Sequence, residues 1–96
     1  MTEQEFLQRF DSGDKFNEKE IWRMVDYFNK IEEIYGDCGS WTQHMTTVIS
    51  INDRYFALEW YRGLTDSIEN EIYDQPYEVT RKTRMVEETY WEPLNK

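Results

Sequence analysis

The chain has 96 residues, 20 acidic against 11 basic, for a formal charge of −9. Such acidity repels nucleic-acid phosphates and anionic lipid, so direct nucleic-acid binding and a membrane-surface role are disfavoured and basic protein partners are favoured. Disorder is excluded too: 39% of the residues are hydrophobic and 17% aromatic, and each aromatic ring can bury about 150–250 Å².

The length fits one domain, residues 1–96. Thr2 and Glu5 have the spacing of a capping box, which predicts a short helix from Glu3 to Phe10 with Phe6, Leu7 and Phe10 on its apolar face. Asp11-Ser12-Gly13-Asp14 carries turn chemistry and ends it. Asn17 and Glu20 repeat the capping pattern before a longer helix predicted from Glu18 to Tyr35, where Ile21, Met24 or Val25, Phe28, Ile31 and Tyr35 recur at helical spacing. Gly36 stands where a glycine stops such a helix.

After Gly39 the period changes. Trp41 to Ile51 and Arg54 to Tyr61 are rich in β-branched and aromatic residues and flank Asn52-Asp53, the pattern of a hairpin with a two-residue turn. Trp41, Met45, Ile49 and Ile51 share one face of the first strand, interrupted by Gln43 and Thr47, and Phe56, Leu58 and Trp60 share one face of the second. Thr65 to Gln75 reads as a long connection, and Tyr77 to Trp91 as one long strand or two short ones ended by Pro93. The fold class expected is α+β, with two N-terminal helices packed on one face of a three- to four-stranded antiparallel sheet.

No catalytic or cofactor signature stands out, so the chain is expected to be neither an enzyme nor a cofactor protein. His44 is the one histidine and lacks metal-ligand companions at zinc spacing, which makes it an ordinary strand residue. Cys38 follows Asp37 in a turn and has no base in sequence range to activate it. A single cysteine permits no intramolecular disulfide and fits a reducing compartment. With no apolar run of signal or membrane-spanning length near the acidic start or elsewhere, the expected location is the cytoplasm of a bacterial host. Asp66, Glu69 and Glu71 lack the calcium-loop pattern, so no metal is expected.

The charge is unevenly spread. Between Leu64 and Val79 stand Asp66, Glu69, Glu71, Asp74 and Glu78 with no Lys or Arg. Carboxylates beside Tyr73, Pro76 and Tyr77 form a footprint for a basic surface, with the tyrosines as anchors. The partner-binding residues expected are therefore Asp66, Glu69, Glu71, Tyr73, Asp74, Tyr77 and Glu78. Arg81, Lys82 and Arg84 form the dense basic cluster, read as a guard on a sheet edge.

From Asn52 to Val79 the sequence reads NDRYFALEWYRGLTDSIENEIYDQPYEV. Its hairpin strand, Arg-Gly-Leu-Thr, Glu-Asn-Glu-aromatic and Gln-Pro-Tyr-Glu-Val segments resemble a group of small, mostly uncharacterised proteins from phages and prophages of Gram-positive bacteria. That resemblance implies an origin rather than a mechanism. In size, acidity and lack of catalytic residues the chain also looks like the anti-CRISPR inhibitors of phages. The expected function is then inhibition of a basic host protein, a nucleic-acid enzyme such as a Cas effector, by occupation of its nucleic-acid-binding surface. The alternative is a phage structural or assembly role through self-association, as a homodimer.

Overall fold

The computed structural model of the chain describes residues 1–83 and 89–94. Two short helices open it, α1 (Glu3–Asp11) and α2 (Glu18–Tyr27). Both begin at reciprocal capping boxes: Thr2 Oγ1 accepts from the Glu5 N–H at 3.1 Å while Glu5 Oε1 accepts from the Thr2 N–H at 3.2 Å. Asn17 and Glu20 do the same at 2.8 and 3.0 Å. Each box satisfies two of the donors that a helix start leaves open.

The expectation of a helix running to Tyr35 is corrected. Phe28 is extended (φ −79°, ψ 161°), and the following residues form strand β1 (Lys30–Cys38). Ile31, Ile34 and Tyr35 fit helical spacing, yet all three are exposed, so no buried stripe would reward a helix there. The neighbouring strand β2 (Thr42–Ile51) is buried through Thr47, Val48 and Ile49. Left as an edge, it would hold unpaired backbone groups that cost about 1–3 kcal/mol for each one buried. β1 supplies their partners, with Glu32 opposite Val48, Glu33 opposite Thr47 and Tyr35 opposite Met45. Gly36 accordingly ends no helix. It lies inside β1, where an added Cβ would stand 3.0 Å from the His44 carbonyl oxygen and 3.3 Å from its Nδ1.

β2 turns back into β3 (Arg54–Gly63) through Asn52 and Asp53, both left-handed at φ 49° and 65°. Short side chains that tolerate that region make this turn, whose twist suits paired strands. The chain continues through β4 (Glu71–Ile72), β5 (Tyr77–Thr83) and β6 (Thr89–Pro93). The six strands form one antiparallel sheet in the order β1-β2-β3-β5-β6, with β4 pairing the far end of β3 beside β5. The sheet curls like half a barrel, and strand makes up 48% of the structure. The expected α+β arrangement on three or four strands is thereby corrected to a mostly β fold carrying two short helices. Of the expected third strand, Met85 and Val86 lie outside the described residues, as does Arg84 of the basic cluster.

Alternation sorts the central strands onto two faces. On one, Met45, Ile49, Ile51, Phe56, Leu58 and Trp60 join Phe6, Phe16, Ile21, Met24 and Val25 of the helical segment in the main core. Trp41, expected on that face, is 65% exposed ahead of β2. On the other face Val48, Ala57 and Val79 form a smaller cluster flanked by Tyr55, Tyr77 and Trp91. There Trp91 Nε1 of β6 donates to Glu32 Oε1 of β1 at 2.8 Å, tying the two outer strands across the concavity. Arg54 links α1 to β5: it donates to Asp11 at 2.9 and 3.1 Å and to Glu78 at 2.9 and 3.1 Å. Among the described residues no helix is long and apolar enough to cross a membrane.

Candidate functional site

Residues 64–70 leave the end of β3 and fold back on it. Backbone bonds hold the bend: Leu64 N–H donates to the Trp41 carbonyl at 2.9 Å, Ile68 N–H to Thr65 at 3.1 Å, and Tyr73 N–H to Glu59 at 3.0 Å. Asn70 Oδ1 accepts from the Gly63 N–H at 2.9 Å. Beyond it, the Gln75 amide clamps the Phe16 backbone through both its N–H and its carbonyl, at 2.8 and 2.9 Å. The acidic stretch is thus held to the body of the fold at both ends.

Seven residues were expected to form one partner-binding surface, and the structure divides them. Asp66, Glu69, Glu71 and Asp74 are exposed, and among the described residues none has a cation within 4.0 Å. Tyr73 is exposed too, at 57%. Glu78 is not: it lies opposite Phe56 on the helix-covered side, and its side chain, 10% exposed, is engaged by Arg54. Pro76 is buried. Tyr77 turns into the concave face, half-buried, where its hydroxyl feels the Glu59 carboxylate. Other acids are likewise consumed within the fold. Arg9 lies 2.6 Å from Glu20 and, with the Asn17 backbone, holds that carboxyl below the usual carboxylate range.

The concave face carries a cluster absent from the sequence reading. Partners in the β2–β3 hairpin set His44 opposite Tyr61 and Thr46 opposite Glu59, so His44 and Glu59 are diagonal neighbours on one face. His44 Nε2 comes 2.7 Å from Glu59 Oε1, but off the line a hydrogen bond needs, and Nε2 has no hydrogen-bond partner. Tyr73 packs edge-on against Tyr61 at 5.4 Å and His44 at 5.9 Å. His44 and Tyr61 thus lie against Tyr73, with the Glu59 carboxylate beside His44.

Burial first, and the neighbouring Glu59 carboxylate second, push the Tyr77 hydroxyl above the ordinary tyrosine value. Because the folded-state value is the raised one, this stability is intact below the unfolded value, about 10, and declines as pH rises beyond it. Tyr77→Phe is expected to cost about 1–3 kcal/mol at neutral pH. The substitution should also flatten the alkaline loss of stability, read from urea midpoints across a pH series. Equal alkaline slopes for the two proteins would contradict the assignment.

On the opposite side, α2, β1, Trp60 of β3 and the end of the 63–70 bend line an open cavity of about 460 Å³. Trp22 and Trp60 line it, their rings edge-on at 5.4 Å, with Asp26, Glu33 and Glu69 around them. Cys38 is exposed. Arg81 lies over the rings of Tyr55 and Trp91, at 5.3 and 5.1 Å, and Lys82 is exposed. Among the described residues no group of three or more His, Cys, Asp or Glu side chains is arranged to hold a metal ion. Comparison of the chain with protein-family models, curated proteins and solved structures found no match, so the resemblance to phage and prophage proteins gains no support from them.

Proposed function

We propose that this chain is a non-catalytic binding protein that sets its acidic loop against a cationic protein surface of the kind that grips nucleic-acid phosphates, and inhibits the enzyme bearing it. One observation carries the reading: Asp66, Glu69, Glu71 and Asp74, close to Tyr73 along the chain, are exposed with no cation within 4.0 Å among the described residues, while Glu20 and Glu78 are paired within the fold. Clustered like charges destabilise a fold by mutual repulsion, and a basic partner relieves it. The resemblance of residues 52–79 to phage proteins is the ground for taking a host enzyme, a Cas effector among them, as the kind of target.

The test begins with capture from bacterial lysate by the wild-type chain and by a variant with Asp66, Glu69, Glu71 and Asp74 all changed to Lys. The wild type is expected to retain an enzyme with a basic channel, to release that enzyme's nucleic acid, and to bind more weakly as salt rises. Four exposed pairs at roughly 0.5–1 kcal/mol each predict a loss of about 100-fold for the variant. Equal capture by the variant, or a captured enzyme that keeps its nucleic acid, would remove the reading. A stable homodimer without a captured enzyme would favour self-association instead.

A further inference from the structure

The cavity between α2, β1 and the 63–70 bend has a chemistry of its own. Trp60 is 7% exposed, and its one polar atom, Nε1, is spent on Thr47 Oγ1 at 3.0 Å. With Trp22 it gives the cavity an indole-lined wall. The carboxylates around that wall come from three elements: Asp26 from α2, Glu33 from β1 and Glu69 from the bend. Among the described residues one cation, Lys30, lies with them, 3.5 Å from Glu33. Asp26 and Glu69 have no cationic partner among the described residues, so the described lining carries an excess of negative charge.

We infer that this cavity receives a single cationic side chain, arginine before lysine, from a protein partner. An anion is repelled by the rim, and a neutral apolar group would strip water from Asp26 and Glu69 without replacing it. A guanidinium satisfies both features at once, because its plane stacks on indole and its edge donates to carboxylate in pairs. Lysine shares the charge but lacks the plane. The volume of about 460 Å³ lies within the roughly 300–1,000 Å³ of small-ligand sites and admits the arginine head with its methylene stem. Lys30 then acts as an internal competitor whose ammonium occupies Glu33 until a better cation arrives. The inference rests on the proposed function for the source of the arginine, and on the cavity alone for its chemistry.

The probe is N-acetyl-arginine amide, titrated while the indole N–H resonances of Trp22 and Trp60 are followed by NMR. Saturable shifts of both are expected, with N-acetyl-citrulline amide, a neutral shape match, binding about tenfold more weakly or not at all. Asp26→Asn combined with Glu69→Gln should weaken the arginine probe by about tenfold. Lys30→Gln should tighten it by about twofold or more, since an internal competitor is gone. Trp22→Leu keeps an apolar filler, so the domain stays folded while the stacking face is lost and saturation disappears. Equal binding of citrulline, an unmoved Trp22 resonance, or weaker binding in Lys30→Gln would overturn the inference. Asp66, Glu71 and Asp74 do not line the cavity, so their reversal should leave probe binding unchanged even if it abolishes capture of a partner. Failure of the acidic-loop reading is thereby separated from failure of the cavity.

Discussion

Phe6→Ala is expected to cost the fold about 3–5 kcal/mol, the range for emptying a buried phenylalanine site. Phe6 is fully buried and meets four other rings: Phe10 at 5.8 Å, Phe16 at 5.1 Å, Phe28 at 6.0 Å and Phe56 at 4.9 Å. Those rings belong to α1, the interhelical loop, the end of α2 and β3, so one side chain joins every part of the helical cover to the sheet. Domains of this kind are stable by only about 5–15 kcal/mol in total, which leaves the variant close to unfolding. Urea denaturation followed by circular dichroism should show a large fall in midpoint. Phe6→Leu, which keeps much of the volume, should lose about 1–2 kcal/mol. Tyr27, on the adjacent helix but 81% exposed, provides the control, and its change to Ala should stay within about 0.5 kcal/mol. A Phe6→Ala midpoint near that of the control would mean that α1 is not part of the cooperative core.

What could be read from the sequence was decided locally. The capping boxes at Thr2–Glu5 and Asn17–Glu20 and the Asn52-Asp53 turn each depend on residues a few positions apart, and each forms as read. β1 was illegible for the opposite reason. Ile31, Ile34 and Tyr35 suit either a helix or a strand, and the choice was made by the exposed edge of β2, a partner that local spacing does not reveal. β4 is two residues long and owes its existence to the bend that returns it to β3. The same distinction governs the site. The density of acids between Leu64 and Val79 was visible, but which face each acid takes was not. Strand alternation sends Tyr77 and Val79 one way and Glu78 the other, into the grip of Arg54. The His44–Glu59 contact had a usable signal, since a two-residue turn at Asn52-Asp53 sets the hairpin register and with it their diagonal placement. The cavity had none. Asp26, Glu33 and Glu69 meet around Trp22 and Trp60 only because β1 is a strand and the bend folds back.

Gly63→Ala carries the second large effect, through that same bend. The backbone at Gly63 needs no left-handed conformation, so the constraint is purely one of space. A Cβ there would stand 1.8 Å from the carbonyl oxygen of Ile68 and 2.7 Å from its carbonyl carbon. Both are backbone atoms, which cannot swing aside as the end of a flexible side chain would. Residues 64–70 must therefore be lifted from the end of β3, straining the Gly63–Asn70 and Leu64–Trp41 hydrogen bonds. Overpacking of this kind costs about 1–3 kcal/mol and more where backbone has to move, so a loss of about 3 kcal/mol is expected by urea denaturation. Gly39→Ala is the matched control, because its added Cβ would meet only the Thr42 carbonyl oxygen at an ordinary 3.5 Å. The effect on function should exceed the effect on stability. Lifting the bend moves Glu69 away from Trp22 and Trp60, so Gly63→Ala should abolish saturable binding of the arginine probe at temperatures where circular dichroism still shows a folded chain. Retained probe binding in a folded Gly63→Ala protein would show that Glu69 and Asn70 reach the cavity without the close approach at Gly63. The bend would then be a pliable flap and not a fixed wall.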